Sequence, residues 1–215
     1  FRRVLFRSER LSFFGNRIIL VHADYAELEN ILNENSINED IDGILLDLGL
    51  RSEMVDEPSR GFSFKTDEPL DMRFNRNQIA TAEFIVNEYS VDELGRILKT
   101  NGDLRDWAKI ARKICQIRVI EHLKTTKQLV KVITSMYPVR MLNEILPKVF
   151  QAIRIEVNDE FNKLKSVLGQ ALLVLKPGGR MVIISYHSGE DRIIKNFFSL
   201  ESRDCICPSN LPVCR

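Results

Sequence analysis

Asp42-Gly43-Ile44-Leu45-Leu46-Asp47-Leu48-Gly49-Leu50 decides how this chain is read. It is an apolar run halted by a carboxylate and a glycine. A buried parallel strand delivers an acid to the ligand-binding edge of an open α/β sheet in this way. Soon after come Arg60-Gly61-Phe62-Ser63-Phe64 and Pro69-Leu70-Asp71-Met72-Arg73. Arginines, aspartates and phenylalanines at this density mark a functional loop rather than a simple connector.

Working outward, Arg17–His22 reads as a short buried strand and 26–35 as an amphipathic helix carrying Leu28, Ile31 and Leu32 on one face. Strand 41–48 follows, then the loop from Gly49 to Asn77. Ser90 with Glu93 forms a capping box for a helix through Leu98. Leu104, Trp107, Ala111 and Ile114 recur at helical spacing, predicting a helix over 103–120. Thr125 with Gln128 caps the next helix, which ends near Tyr137-Pro138, and Pro147 suits a first helical turn. Phe150, Ile153, Val157, Phe161, Leu164 and Leu168 form one long apolar stripe. Lys176-Pro177-Gly178-Gly179 reads as a turn, Arg180–Ser185 as a strand and Glu190–Leu200 as a helix. The expected architecture is therefore α/β, with a discontinuous core over 1–78 and 146–215. An all-helical insertion occupies 79–145.

Of 215 residues, 44% are hydrophobic and 28% charged, as in ordinary globular domains. No apolar run approaches the roughly 18 residues of a membrane span, and the N-terminus has too short an apolar core for a signal peptide. Four cysteines do not make a disulfide scaffold, so a reducing cytoplasm is the default. Between Arg96 and Lys148 stand 12 basic and four acidic residues, a net charge of +8 that leaves −7 for the rest. Such a split points to a polyanion partner for the middle segment, against the plainer reading of solvated helix faces.

Four constellations are candidates for chemistry. Asp47, at a strand end, is a ligand-site candidate, with a helix cap or loop ion pair as the plainer alternative. An acceptor there could hold the N–H of a poorly nucleophilic amine, and positioning of reactants alone supplies roughly 7–11 kcal/mol. His187, in Ser185-Tyr186-His187-Ser188-Gly189-Glu190-Asp191-Arg192, emerges at the same edge and is a candidate catalytic residue. No second histidine stands at ligand spacing, so it is not read as a metal ligand. Gln151, Arg154 and Asn158 fall on one helix face, either solvated or facing phosphates. Cys205, Cys207 and Cys214 read as reduced thiols before a partial zinc site.

From about Ser8 to Ser199, these motifs in this order resemble the bacterial 16S ribosomal RNA (cytosine-N4) methyltransferases, the RsmH or MraW family. Ile110-Ala111-Arg112-Lys113-Ile114 and Thr125-Thr126-Lys127-Gln128-Leu129 extend the likeness into the insertion. The resemblance implies a Rossmann-like methyltransferase core with an inserted helical domain. It also implies S-adenosylmethionine as cofactor, and 16S ribosomal RNA or the small ribosomal subunit as partner. Tyr25, Asp47 and Met54 are then the expected cofactor contacts and Asp47 and His187 the catalytic pair. Arg60, Arg73, Arg112, Lys113 and Arg154 are the expected RNA contacts.

The chain departs from the family in places. Met54 stands where many members carry Gln, and Gly189 where Leu is usual. Asp47-Leu48-Gly49-Leu50 lacks the stacking aromatic that many amino-methylating enzymes place there, so Phe62, Phe64 and Tyr186 become candidates for a base platform. No Gly-x-Gly occurs among the ten glycines, and the family's glycine-rich cofactor loop has no counterpart. Phe1–Arg7 match nothing in the family. The expectation is a fragment that by itself binds S-adenosylmethionine weakly or not at all. The competing reading is a catalytically inactive RNA-binding fragment or paralogue. A nicotinamide-dependent oxidoreductase is opposed by the missing dinucleotide-binding glycines.

Overall fold

The computed structural model describes residues 11–37, 41–49, 57 and 59–203. Met54, the three cysteines near the end and Phe1–Arg7 lie outside them. The order of elements is α1 (Leu28–Glu34), β1 (Ile41–Asp47), α2 (Ala82–Glu88), α3 (Val91–Thr100), α4 (Trp107–Arg118), α5 (Thr126–Thr134), α6 (Val139–Asn158), α7 (Glu160–Val174), β2 (Leu175–Ile184) and α8 (Ser188–Glu201), with short 3₁₀ turns at Ser12–Arg17 and Tyr25–Glu27. This is a mixed α/β chain. The chain divides into two units, residues 1–46 with 163–182 and residues 47–162 with 183–215.

β1 pairs with β2. Gly43 lies beside Arg180, and further along Leu48 N–H donates to Ile184 O at 3.1 Å. Positions rise together on both strands, so the pair is parallel. The expected strand at 17–22 is instead a 3₁₀ end followed by irregular backbone, with Ile19, Leu20 and Val21 exposed. A strand needs a hydrogen-bonded neighbour, and among the described residues the sheet has two members only. β2 begins at Leu175, so the expected turn at 176–179 is the first part of that strand. Gln170 on α7 holds the Tyr25 segment, donating to Ala26 O (2.6 Å) and accepting from Glu29 N–H (2.9 Å).

The second unit is built from α2–α6, α8 and the loop 57–81. The capping boxes at Ser90/Glu93 and Thr125/Gln128 form as the spacing predicts. Ile85, Ile97, Ile110, Ile133, Val149 and Ile153 are fully or almost fully buried within one cluster. Pro147 is not in a first turn but inside the 20-residue α6, whose N-cap is Pro138. The long apolar stripe is interrupted at Asp159, which takes a left-handed conformation (φ 52°, ψ 39°) and separates α6 from α7. The compact unit holds the 79–145 helices together with the loop before them and α6 after them.

Residues 59–81, before α2, have almost no regular structure, so their backbone is satisfied by side chains. Glu68 accepts from the N–H groups of Arg60 (3.2 Å) and Gly61 (2.9 Å). Arg60 donates to the carbonyls of Arg73 (2.8 Å) and Phe74 (3.3 Å). Arg73 pairs through two donors with Asp71, both at 2.8 Å, and turns its third nitrogen to the carbonyls of Arg76 and Gln78. Buried Asn158 closes the loop onto α6, accepting from Phe74 N–H (2.7 Å) and donating to Met72 O (2.8 Å). Gly61 stands at φ +70°, where a Cβ would lie 2.2 Å from the Pro69 carbonyl oxygen.

Two consequences are measurable by urea unfolding. Gly61→Ala combines a left-handed backbone with a clash against main chain and lowers stability by about 2–4 kcal/mol. Asp71→Asn lowers it by about 1–2 kcal/mol at neutral pH, since the half-buried pair is hydrogen-bonded as well as charged. The hydrogen bond from Arg73 holds the Asp71 carboxyl below the usual carboxylate range. Its folded pKa is depressed, so its stabilisation is complete above the unfolded value and disappears as pH falls through the folded one. The gap between wild type and Asp71→Asn therefore stays constant at neutral pH and closes below about pH 4.

Candidate active site and nucleic-acid interface

Asp47 ends β1 with its side chain exposed. The Tyr186 hydroxyl donates to its Oδ1 at 2.9 Å. That bond pushes the phenol above its ordinary pKa, so Tyr186 is a proton donor at neutral pH. Oδ2 accepts from no group among the described residues. Tyr186 is 67% exposed, and its ring leans on Gly49, where a Cβ would come within 3.2 Å of Cδ2. Gly49 itself has φ +86°. This residue thus meets two demands, a left-handed backbone and room for an aromatic ring.

Behind Tyr186 stands a buried polar cluster. Glu190, 3% exposed, accepts from the Tyr186 backbone N–H at 2.9 Å. Burial raises its pKa, but the His187 ring and the Tyr186 N–H outweigh that and hold the carboxyl below its ordinary value. His187 is the N-cap of α8, its Nδ1 accepting from Glu190 N–H at 3.4 Å. Its Nε2 is buried 3.3 Å from Glu190 Oε1 without an aligned hydrogen bond. Phe161 packs against the ring, with centroids 5.8 Å apart. Glu160 pairs with Arg154 through bonds of 2.8 and 3.0 Å, yet burial prevails and lifts its carboxyl above the ordinary value.

The sequence-predicted residues therefore occupy distinct settings. Asp47 and the Tyr186–His187 motif meet at the carboxyl end of the strands. Tyr25 lies in the first unit, in a 3₁₀ turn capped by Asp24. Arg60 is buried, lying over the Phe62 ring and facing backbone carbonyls. Arg73 is occupied by Asp71 and the loop, and Arg154 by Glu160. Gln151, Arg154 and Asn158 all turn inward to partners, Gln151 donating to Asn101 O at 3.0 Å. Of the base-platform candidates, Phe62 is buried against Phe74 and Phe64 packs on Phe150.

Arg112 is exposed on α4, with Lys113 beside it half-buried, and neither has an ion pair among the described residues. Lys109, Arg112 and Gln116 lie along one exposed face of α4; Lys124, Lys127 and Lys131 line the start and outer face of α5. Asp103 was missed by sequence reasoning. It receives Ser188 Oγ (2.7 Å) and Arg192 (2.8 Å), tying α8 to the turn between α3 and α4. Its positive φ of 47° left no trace in the sequence beyond an Asn-Gly-Asp turn. Among the described residues no group of acids, histidines and cysteines could hold a metal ion. No described helix is long and apolar enough to cross a membrane.

The family described as the MraW methylase family matches residues 3–215, so the likeness reaches past both expected limits, Ser8 and Ser199, and only Phe1 and Arg2 of the first seven residues fall outside it. Among curated relatives, the ribosomal RNA small subunit methyltransferase H of Syntrophotalea carbinolica is 46% identical over 208 residues, covering 95% of this chain and 66% of its own length. The protein of that name from Heliobacterium modesticaldum is 42% identical over 209 residues, again 95% and 66%. That from Caldicellulosiruptor saccharolyticus is 45% identical over 201 residues, 93% and 65%. The chain thus spans just under two thirds of the length of these relatives. With a family match over nearly every residue and relatives 42–46% identical along most of its length, this chain belongs to the MraW methylase family.

Proposed function

We propose that the protein carrying this sequence transfers a methyl group from S-adenosylmethionine to the exocyclic N4 of a cytosine in small-subunit ribosomal RNA. The observation that carries the reading is Asp47, an exposed carboxylate at the carboxyl end of β1 with one oxygen held by Tyr186 and the other without a donor among the described residues. The relatives' shared name supports the substrate class. In this reading β1, β2 and their neighbouring helices belong to a Rossmann-like core, and 79–145 is an inserted RNA-recognition domain.

Asp47 offers a negative charge compatible with a sulfonium donor, and Tyr25 and Met54 are the further cofactor contacts that the family resemblance implies. S-adenosylmethionine, when bound, supplies an electrophilic methyl group. Asp47 accepts an N–H of the cytosine amine, which localises a lone pair otherwise delocalised into the ring, and passes the released proton to solvent. His187 acts by position: as the cap of α8 it fixes the backbone that presents Tyr186. Arg60 and Arg73 hold the loop before α2 together, and Arg154 ties α6 to α7. RNA phosphates are met by the exposed cations of α4 and α5, chiefly Arg112 and Lys113.

The test is transfer of labelled methyl to small-subunit ribosomal RNA, by this chain and by this chain preceded by a glycine-rich segment of the family's kind. Asp47→Ala lowers transfer by the latter at least about 100-fold and leaves RNA affinity within about twofold. RNA binding with no transfer from either form would instead favour a binding module without chemistry. Reversing the charge of Arg112 and Lys113 together weakens RNA binding and lowers the slope of log affinity against log salt by about two. Circular dichroism of that variant stays unchanged.

A further inference from the structure

Tyr186 is the most exposed described aromatic of the second unit, at 67%, yet it is held at three points. Its backbone N–H is bound by buried Glu190, its ring leans on Gly49, and its hydroxyl is fixed to Asp47. Exposed aromatic rings are ordinarily left to wander. Here a buried carboxylate and a side-chain-free residue hold one ring in the open at a strand's end. Gly49 touches the ring near Cδ2, and two thirds of the residue stays open to solvent. Beside it is Asp47 Oδ2, an acceptor with no donor among the described residues.

A flat π-surface next to a lone carboxylate acceptor selects its ligand chemically. Phosphate is repelled by Asp47. An apolar side chain would leave the carboxylate buried and unsatisfied. An unstacked nucleobase carrying an exocyclic amine satisfies both, its face on the ring and its N–H on the carboxylate. A uracil would turn a carbonyl oxygen toward the same carboxylate and be rejected.

Building on the function proposed above, we propose that Tyr186 is the platform on which the target base stacks, and that Tyr186 and Asp47 together select an amino-pyrimidine over uracil. Gly49 and Glu190 are the positioning residues that keep the platform open.

The experiment is photocrosslinking of this chain to small-subunit ribosomal RNA transcribed with 5-iodocytidine, with the attachment site mapped by mass spectrometry. The iodopyrimidine couples to an aromatic ring stacked on it. A crosslink at Tyr186 is expected. It is kept in Tyr186→Phe, which retains the ring, and falls at least tenfold in Tyr186→Ala at equal RNA occupancy. In parallel, RNA transcribed with 5-iodouridine crosslinks to Tyr186 less than the cytidine form, and Asp47→Asn narrows that ratio. RNA bound with crosslinks only elsewhere, or a yield unchanged in Tyr186→Ala, overturns the platform while leaving RNA recognition standing. A ratio unmoved by Asp47→Asn overturns the selectivity. A chain that retains no RNA overturns the platform together with the reading it rests on.

Discussion

Backbone groups must be satisfied wherever water is excluded, and in the second unit this constraint falls on a loop with no ladder of its own. Residues 59–78 solve it with side chains. Glu68 takes two N–H groups, Arg60 and Arg73 cover four carbonyls, and Asn158 reaches across from α6 to take one of each. Thr126, fully buried at the start of α5, donates to Thr66 O and accepts from Glu68 N–H. The loop is therefore part of the helical packing. That is why residues with the chemistry of a binding site can serve as mortar.

The division between legible and illegible features follows the reach of each interaction. The capping boxes at Ser90 and Thr125 form because both partners lie within one turn, so a four-residue window contains the whole argument. The strand ending at Asp47 was legible for a similar reason: polarity changes abruptly at the point where the ladder stops. The arginines were not legible. Arg60 finds its acceptors 13 and 14 residues away and Arg154 its carboxylate across a helix break. A guanidinium suited to phosphate is equally suited to a fork of carbonyls. The strand expected at 17–22 failed for the converse reason, since a short apolar run supplies no pairing partner.

Charge is sorted accordingly. The cations that hold the fold are buried or paired, as Arg60, Arg73 and Arg154 are. Those of the outer faces of α4 and α5 stand exposed. Interior arginines add little to the field outside, because each is matched by a nearby carboxylate or carbonyl dipole. Unmatched surface lysines and arginines project theirs over about a Debye length, roughly 8–10 Å at ordinary salt. The +8 of the middle segment is thus concentrated on the helices where it can steer an anion.

At the strand ends the logic inverts, and negative charge is kept near the surface on purpose. Glu190 remains an acceptor despite burial because His187 and the Tyr186 N–H face it. Were it protonated, the Tyr186 amide would lose its anionic partner and the ring its fixed origin. Glu160, nearby and also buried, is pushed the other way, which limits the repulsion between the two acids. One carboxylate of the pair thus holds its charge for a backbone amide, and that amide in turn fixes the residue whose phenol addresses Asp47. A buried ion whose stabilisation barely balances its desolvation is retained here because it orients an exposed group.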